Sequence, residues 1–207
     1  MIPVLNVNWH SLPVDYSLSE RDADVLALIE TEDLAVFTFD GLKRRTGLHS
    51  ETLSRILSRL EQEGIVKKTP EGYRVTPKIT KLKHQPTRNE ESVSLLQTFL
   101  PSDTLMQQLI SELRGKWFGL LRWLGISENS EGVQLKWITE DGGIQIAASI
   151  SGTVLNIEAK FLSVNDLNLA LKAAYQLMAH IGKLCSGSGL ARHVAYLGGD
   201  DLNLMPA

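Results

Sequence analysis

Ser50, Glu51, Ser54, Arg55, Ser58 and Arg59 fall within ten residues of one another, recurring four apart as on one side of a helix. Short hydroxyls allow close approach to base edges, and arginine pairs bidentately with guanine, so this set is equipped to read double-stranded DNA. Lys67, Lys68 and Arg74 follow, of a type suited to backbone phosphates. Arg44, Arg45 and His49 precede the set and complete the candidate DNA-contacting residues. Other chemistry has little to rest on. The five histidines (His10, His49, His84, His180, His193) show no H-E-x-x-H spacing, and Cys185 is the single cysteine. Cys185 with His180 and His193 reads as an ordinary buried thiol near two histidines and not as a metal site. No phosphate-binding glycine loop is present, and the adjacent Glu140 and Asp141 read as solvated hairpin residues. A non-enzymatic chain without cofactor or metal is expected.

Two short helices and a hairpin must position the DNA-contacting set. Thr38 can cap a helix bearing Phe39 and Leu42, and Gly47 permits a tight turn. Ser50 then caps a helix over Glu51–Gln62, with Leu53, Ile56, Leu57 and Leu60 on its apolar side and Gly64 as its stop. Residues 65–76 alternate as a hairpin about Pro70-Glu71-Gly72. An earlier helix opens at Ser19, with Asp22 completing a capping box.

The run GLHSETLSRILSRLEQEGIVKKTPEGYRVTPK resembles the recognition helix and wing of winged helix-turn-helix transcriptional regulators of the MarR/ArsR-like kind, over about residues 19–78. Their "RLExxGxV" phrase corresponds to Arg59-Leu60-Glu61-Gln62-Glu63-Gly64-Ile65-Val66 here. The resemblance implies major-groove contacts from Ser50, Glu51, Thr52, Ser54 and Arg55, with Lys67, Lys68 and Arg74 near phosphate or minor groove.

Charge distribution agrees. Residues 1–42 carry eight acids and one base, residues 43–88 twelve bases and four acids, and the remainder eight bases and twelve acids, so a formal net charge of -3 conceals a basic island. Residues 1–18 read as an arm and residues 79–91 as a basic linker broken by Pro86. Residues 92–124 read as helical, with Leu105, Leu109, Leu113, Trp117, Leu121 and Leu124 in one stripe and Gly115 and Gly119 inside it. Strands at 133–139, 143–151 and 153–162 follow, then a helix capped by Ser163 that reaches Cys185. Residues 186–207 read as a tail. The expected fold class is α+β: an N-terminal winged helix-turn-helix domain (19–78) plus a C-terminal helix–three-stranded antiparallel sheet–helix domain (92–185). The second domain would form a homodimer and leaves room for a small-molecule effector, with Trp117, Trp123 and Trp137 as core or pocket lining. No apolar run approaches the roughly 18 residues of a membrane span, and one cysteine fits a reducing compartment, so a cytoplasmic regulator of transcription is expected. The alternative is a module that docks a protein partner through the same helices.

Overall fold

Ser19 starts the first helix, because its hydroxyl accepts from the Asp22 amide while the Asp22 carboxylate accepts from the Ser19 amide. Helix α1 runs Glu20–Thr31, strand β1 Val36–Phe37, helix α2 Phe39–Thr46 and helix α3 Ser50–Gln62. The computed structural model describes residues 19–76, 92–102, 104–129 and 132–197, with the side chains of its last helix described as far as residue 186. The arm at 1–18 and the linker at 79–91 therefore lie outside the described residues. Thr38 caps α2 by accepting from Gly41, and Gly47, at φ 68°, ends it. His49, one residue before the expected cap, begins α3 by accepting from Glu51 at 3.4 Å. Strands β2 (Val66–Thr69) and β3 (Gly72–Val75) form the hairpin that follows.

Beyond the linker come β4 (Ser92–Phe99), α4 (Met106–Leu113), β5 (Leu121–Asn129), β6 (Gly132–Thr139), β7 (Ile144–Ser151), β8 (Val154–Phe161) and α5 (Leu167–Leu197). All eight strands join one antiparallel sheet in the order β2-β3-β1-β5-β6-β7-β8-β4. This overturns the expected fold class. There is no winged helix-turn-helix domain followed by a separate helix–three-strand–helix domain; one sheet-rich fold spans both regions. The short strand β1 makes the join, since it pairs with β3 on one side and β5 on the other. Its two residues face opposite ways: Phe37 enters the core beneath α1, α2 and α3, and Val36 enters the core between the sheet and helices α4 and α5.

The stretch 92–124 is the largest correction. Its leucines recur at helical spacing, but only Met106–Leu113 is helical, flanked by strands β4 and β5. Gly115 and Gly119 have φ of 73° and 57°, so they turn the chain and do not sit in a helix. The last helix begins later than expected, with Asp166 and not Ser163 accepting from the Leu169 amide, and it runs on to Leu197 through part of the expected tail. Along α5, Ala170, Ala173, Ala174, Leu177 and Ile181 are buried on the sheet. Trp123 and Trp137 are buried and fill that core edge to face, with ring centroids 5.3 Å apart. Trp117 is instead exposed beneath the Arg122 guanidinium. Among the described residues, no helix is long and apolar enough to cross a membrane.

Glu30, near the end of α1, has both carboxylate oxygens buried without a hydrogen-bond partner, and burial pushes its carboxyl up to about 7 from an ordinary 4.5. A carboxyl raised on folding costs nothing in acid, costs more as pH climbs from 4.5 to about 7, and carries its full penalty above that. Glu30→Gln is therefore expected to raise stability by about 1–2 kcal/mol at pH 8 and to change little at pH 4. Urea unfolding at the two pH values checks this; an equal gain at both would mean that charge is not the cause.

Candidate nucleic-acid interface

Helix α3 turns its leucines inward, because Leu53, Ile56, Leu57 and Leu60 are all buried, and this leaves Glu51, Ser54, Arg55 and Ser58 exposed on the other side. Thirteen residues make α3 about 20 Å long, enough to lie across a major groove about 12 Å wide. Arg55 pairs with Glu51 at 2.5 Å, one helical turn away, with both side chains well exposed. Such a pair contributes little to stability and can open toward a ligand. His49 is exposed at the start of the helix, while Ser50 and Thr52 are half-buried.

On the hairpin, Lys67, Lys68 and Arg74 are all exposed. Alternation places them differently. Val66 and Val75 pair across the strands and enter the α1–α3 core, so the next pair, Lys67 and Arg74, projects from the opposite face. Lys68 returns to the α3 side, where its backbone amide donates to Glu61 Oε1. Because β2 is the sheet's edge, both faces of the hairpin border the same open flank. The hairpin turn is tied down at its far side, since Glu71 meets Arg114 at 3.3 Å.

Three arginines of the expected set lie apart from this surface. Arg59 donates from Nε and Nη2 to the two oxygens of Asp22, locking α3 to α1. Asp22 is fully covered; burial pushes its carboxyl up, but the bonds from Arg59 and Ser19 outweigh that and hold it below the ordinary range. Arg44 donates to the Asp40 carbonyl at 3.1 Å and lies beside the β6–β7 turn, whose Gly142 closely approaches its backbone oxygen. Arg45 points away altogether, its side chain 9% exposed and its Nη2 on Glu32 at 3.0 Å.

Glu32 is the centre of a buried charge cluster. It follows α1 directly, its side chain is wholly covered, and its carboxylate accepts from Arg45, from Lys136 Nζ (3.3 Å), from Lys160 Nζ (3.2 Å) and from Gln145 Nε2 (2.7 Å). Its backbone oxygen accepts from Lys136 and from the Ser127 hydroxyl. Burial alone would raise the carboxyl, but Lys136, Lys160, the Gln145 bond and Arg45 together hold it at about 2. Burial likewise pulls the Lys136 ammonium down, and Glu32 opposes that pull. The cluster floors a cleft of about 180 Å³ on the sheet face away from α5, and joins Glu32 at the end of α1 to residues from α2, β6, β7 and β8. Nothing local in the sequence marks it, since its members lie as far apart as residues 32 and 160; a lysine inside each of the apolar strands β6 and β8 is the available sign. At the β6–β7 turn Asp141 accepts from Thr139 and from the Gly143 amide, and these bonds hold its carboxyl below the ordinary range. Among the described residues, no group of three or more histidine, cysteine, aspartate or glutamate side chains is placed to hold a metal.

No protein-family model matches the chain, and no curated protein or solved structure is detectably similar to it.

Proposed function

We propose that this chain is a non-enzymatic regulator of transcription that binds double-stranded DNA, with α3 in the major groove and the β2–β3 hairpin against the backbone. The observation that carries the reading is the exposed Ser54–Arg55–Ser58 side of α3, bordered by Lys67, Lys68 and Arg74 at the sheet's edge. The resemblance of residues 47–66 to the DNA-reading segment of bacterial and archaeal regulators supports the same assignment. Arg55 serves base readout, since it needs only to leave Glu51 to reach a guanine edge. The hairpin cations serve phosphate.

The expected measurements separate these roles. Arg55→Ala is expected to cost about 1–3 kcal/mol of discrimination between target and scrambled DNA. Lys67→Ala and Lys68→Ala should each weaken binding to every sequence and lower the slope of log K against log salt by about one. Fluorescence anisotropy with genomic fragments across a salt series reads both, and a flat salt response in the parent protein would reject the proposal.

One observation favours a second reading, in which α3 docks a protein. The C-terminal end of α3 exposes Glu61, Gln62 and Glu63, which complement a basic protein surface better than a phosphate backbone. Loss of a co-purifying partner on Arg55→Ala, in a protein that shows no affinity for DNA, would establish that reading instead.

A further inference from the structure

The two edges of the sheet are built differently. At one end β2 is four residues long and carries Lys67 and Lys68, the short charged edge by which proteins discourage strands from adding on. At the other end β4 is eight residues long, Ser92–Phe99, with the sequence SVSLLQTF. It contains no charged residue and no proline. Val93 is 40% exposed and Phe99 78% exposed. Its inner side pairs with β8, and among the described residues nothing pairs with its outer side. One extra residue bulges between Ser94 and Leu96, which leaves a regular run from Leu96 to Phe99.

The geometry points to β4 as the interface between two copies of this chain, joined strand to strand. A strand laid antiparallel to itself about a two-fold axis normal to the sheet can match the outward donors and acceptors of the regular run Leu96–Phe99 with those of the second copy, so this part of the edge is its own complement. The axis keeps α5 of both copies on one face. An uncharged edge offers no basis for selecting a charged peptide, whereas a second copy brings an equally uncharged strand and covers Phe99 and Val93. The inference stands apart from the DNA reading: α3 and β4 lie toward opposite ends of the sheet, and each can fail alone.

Three measurements on the full chain test it. Sedimentation is expected to show a concentration-dependent dimer. Gln97 lies in the regular run on the face away from α5; Gln97→Lys or Gln97→Glu places like charges across the axis and should raise the dimer dissociation constant about tenfold or more. Mixing the two variants should restore association, and unchanged melting curves for each would show that the fold survives. Amide exchange should show protection of alternate β4 amides that fades on dilution. A monomer at all concentrations, a dimer indifferent to both Gln97 variants, or protection that persists on dilution because a segment of the same chain covers the edge, would each overturn the proposal.

Discussion

Replacing Glu32 by glutamine is expected to destabilise the protein by about 3–5 kcal/mol. The substitution keeps the shape and some of the hydrogen bonds but removes the carboxylate charge on which Arg45, Lys136 and Lys160 converge. Lys136 suffers most, because its side chain is 6% exposed and cannot turn to water. Burying an ion pair has no large net benefit, but leaving half of one buried is costly. Two further outcomes separate this cause from simple misfit. Adding Lys136→Met to Glu32→Gln should recover the part of the loss that Lys136 causes and no more, since Arg45 and Lys160 still lose their carboxylate. Acid should also narrow the gap. The carboxyl is held at about 2 against an ordinary 4.5, so its contribution is complete above pH 4.5 and disappears as pH falls toward 2. Chemical unfolding of parent and variant at pH 7 and pH 3 reads the difference, and a gap that widens in acid would contradict the assignment.

Gly41→Ala is expected to cost about 2–3 kcal/mol, against the sign that helix propensity alone gives. Alanine inside a helix is favoured over glycine by about 1 kcal/mol, and Gly41 has ordinary helical geometry in α2. What forbids the methyl group is the strand beneath it. A β-carbon here would lie 2.6 Å from Leu124 Cα and 2.7 Å from the Trp123 carbonyl oxygen, both backbone atoms with nowhere to go. The same contact is fixed by Thr38, whose hydroxyl donates to the Trp123 carbonyl at 3.1 Å while accepting from the Gly41 amide. Thermal unfolding decides the sign: a melting temperature that rises would mean that α2 does not lie on β5.

Local signals account for what could be read ahead of the structure. The helix over residues 50–62, the turn at Gly47 and the strands about Gly142 and Gly152 depend on capping, positive φ and alternation, all of which act within a few residues. What failed was any feature that depends on a distant partner. Val36 and Phe37 are too few to announce a strand, yet they join the two halves of the sheet. The run Ser92–Phe99 carries adjacent leucines across a bulge, which disguises its alternation and lets it blend into a helical pattern. The candidate DNA surface was visible as residue types, but the sequence could not show which cations had a competing acid. Arg59 answers to Asp22 and Arg45 to Glu32, and both acids belong to the acidic opening segment, whose sequence shows its net charge but not its partners.

The position of β4 has a consequence for how the chain assembles. It is complete by Phe99, yet the strand it pairs with does not begin until Val154, after β5, β6 and β7 have been made. At roughly 5–20 residues per second, synthesis leaves this uncharged strand without its native neighbour for several seconds. Strand β1 waits longer still, since Phe37 needs Gly125. Pairings of this span close large loops before they bring any reward, so refolding should be slow for a chain of this size. The last hairpin, β7–β8, completes the sheet, and until it forms the edge proposed to join two copies has both its sides open. Refolding at increasing protein concentration would then divide between productive closure and premature strand exchange, a competition decided by time and not by stability.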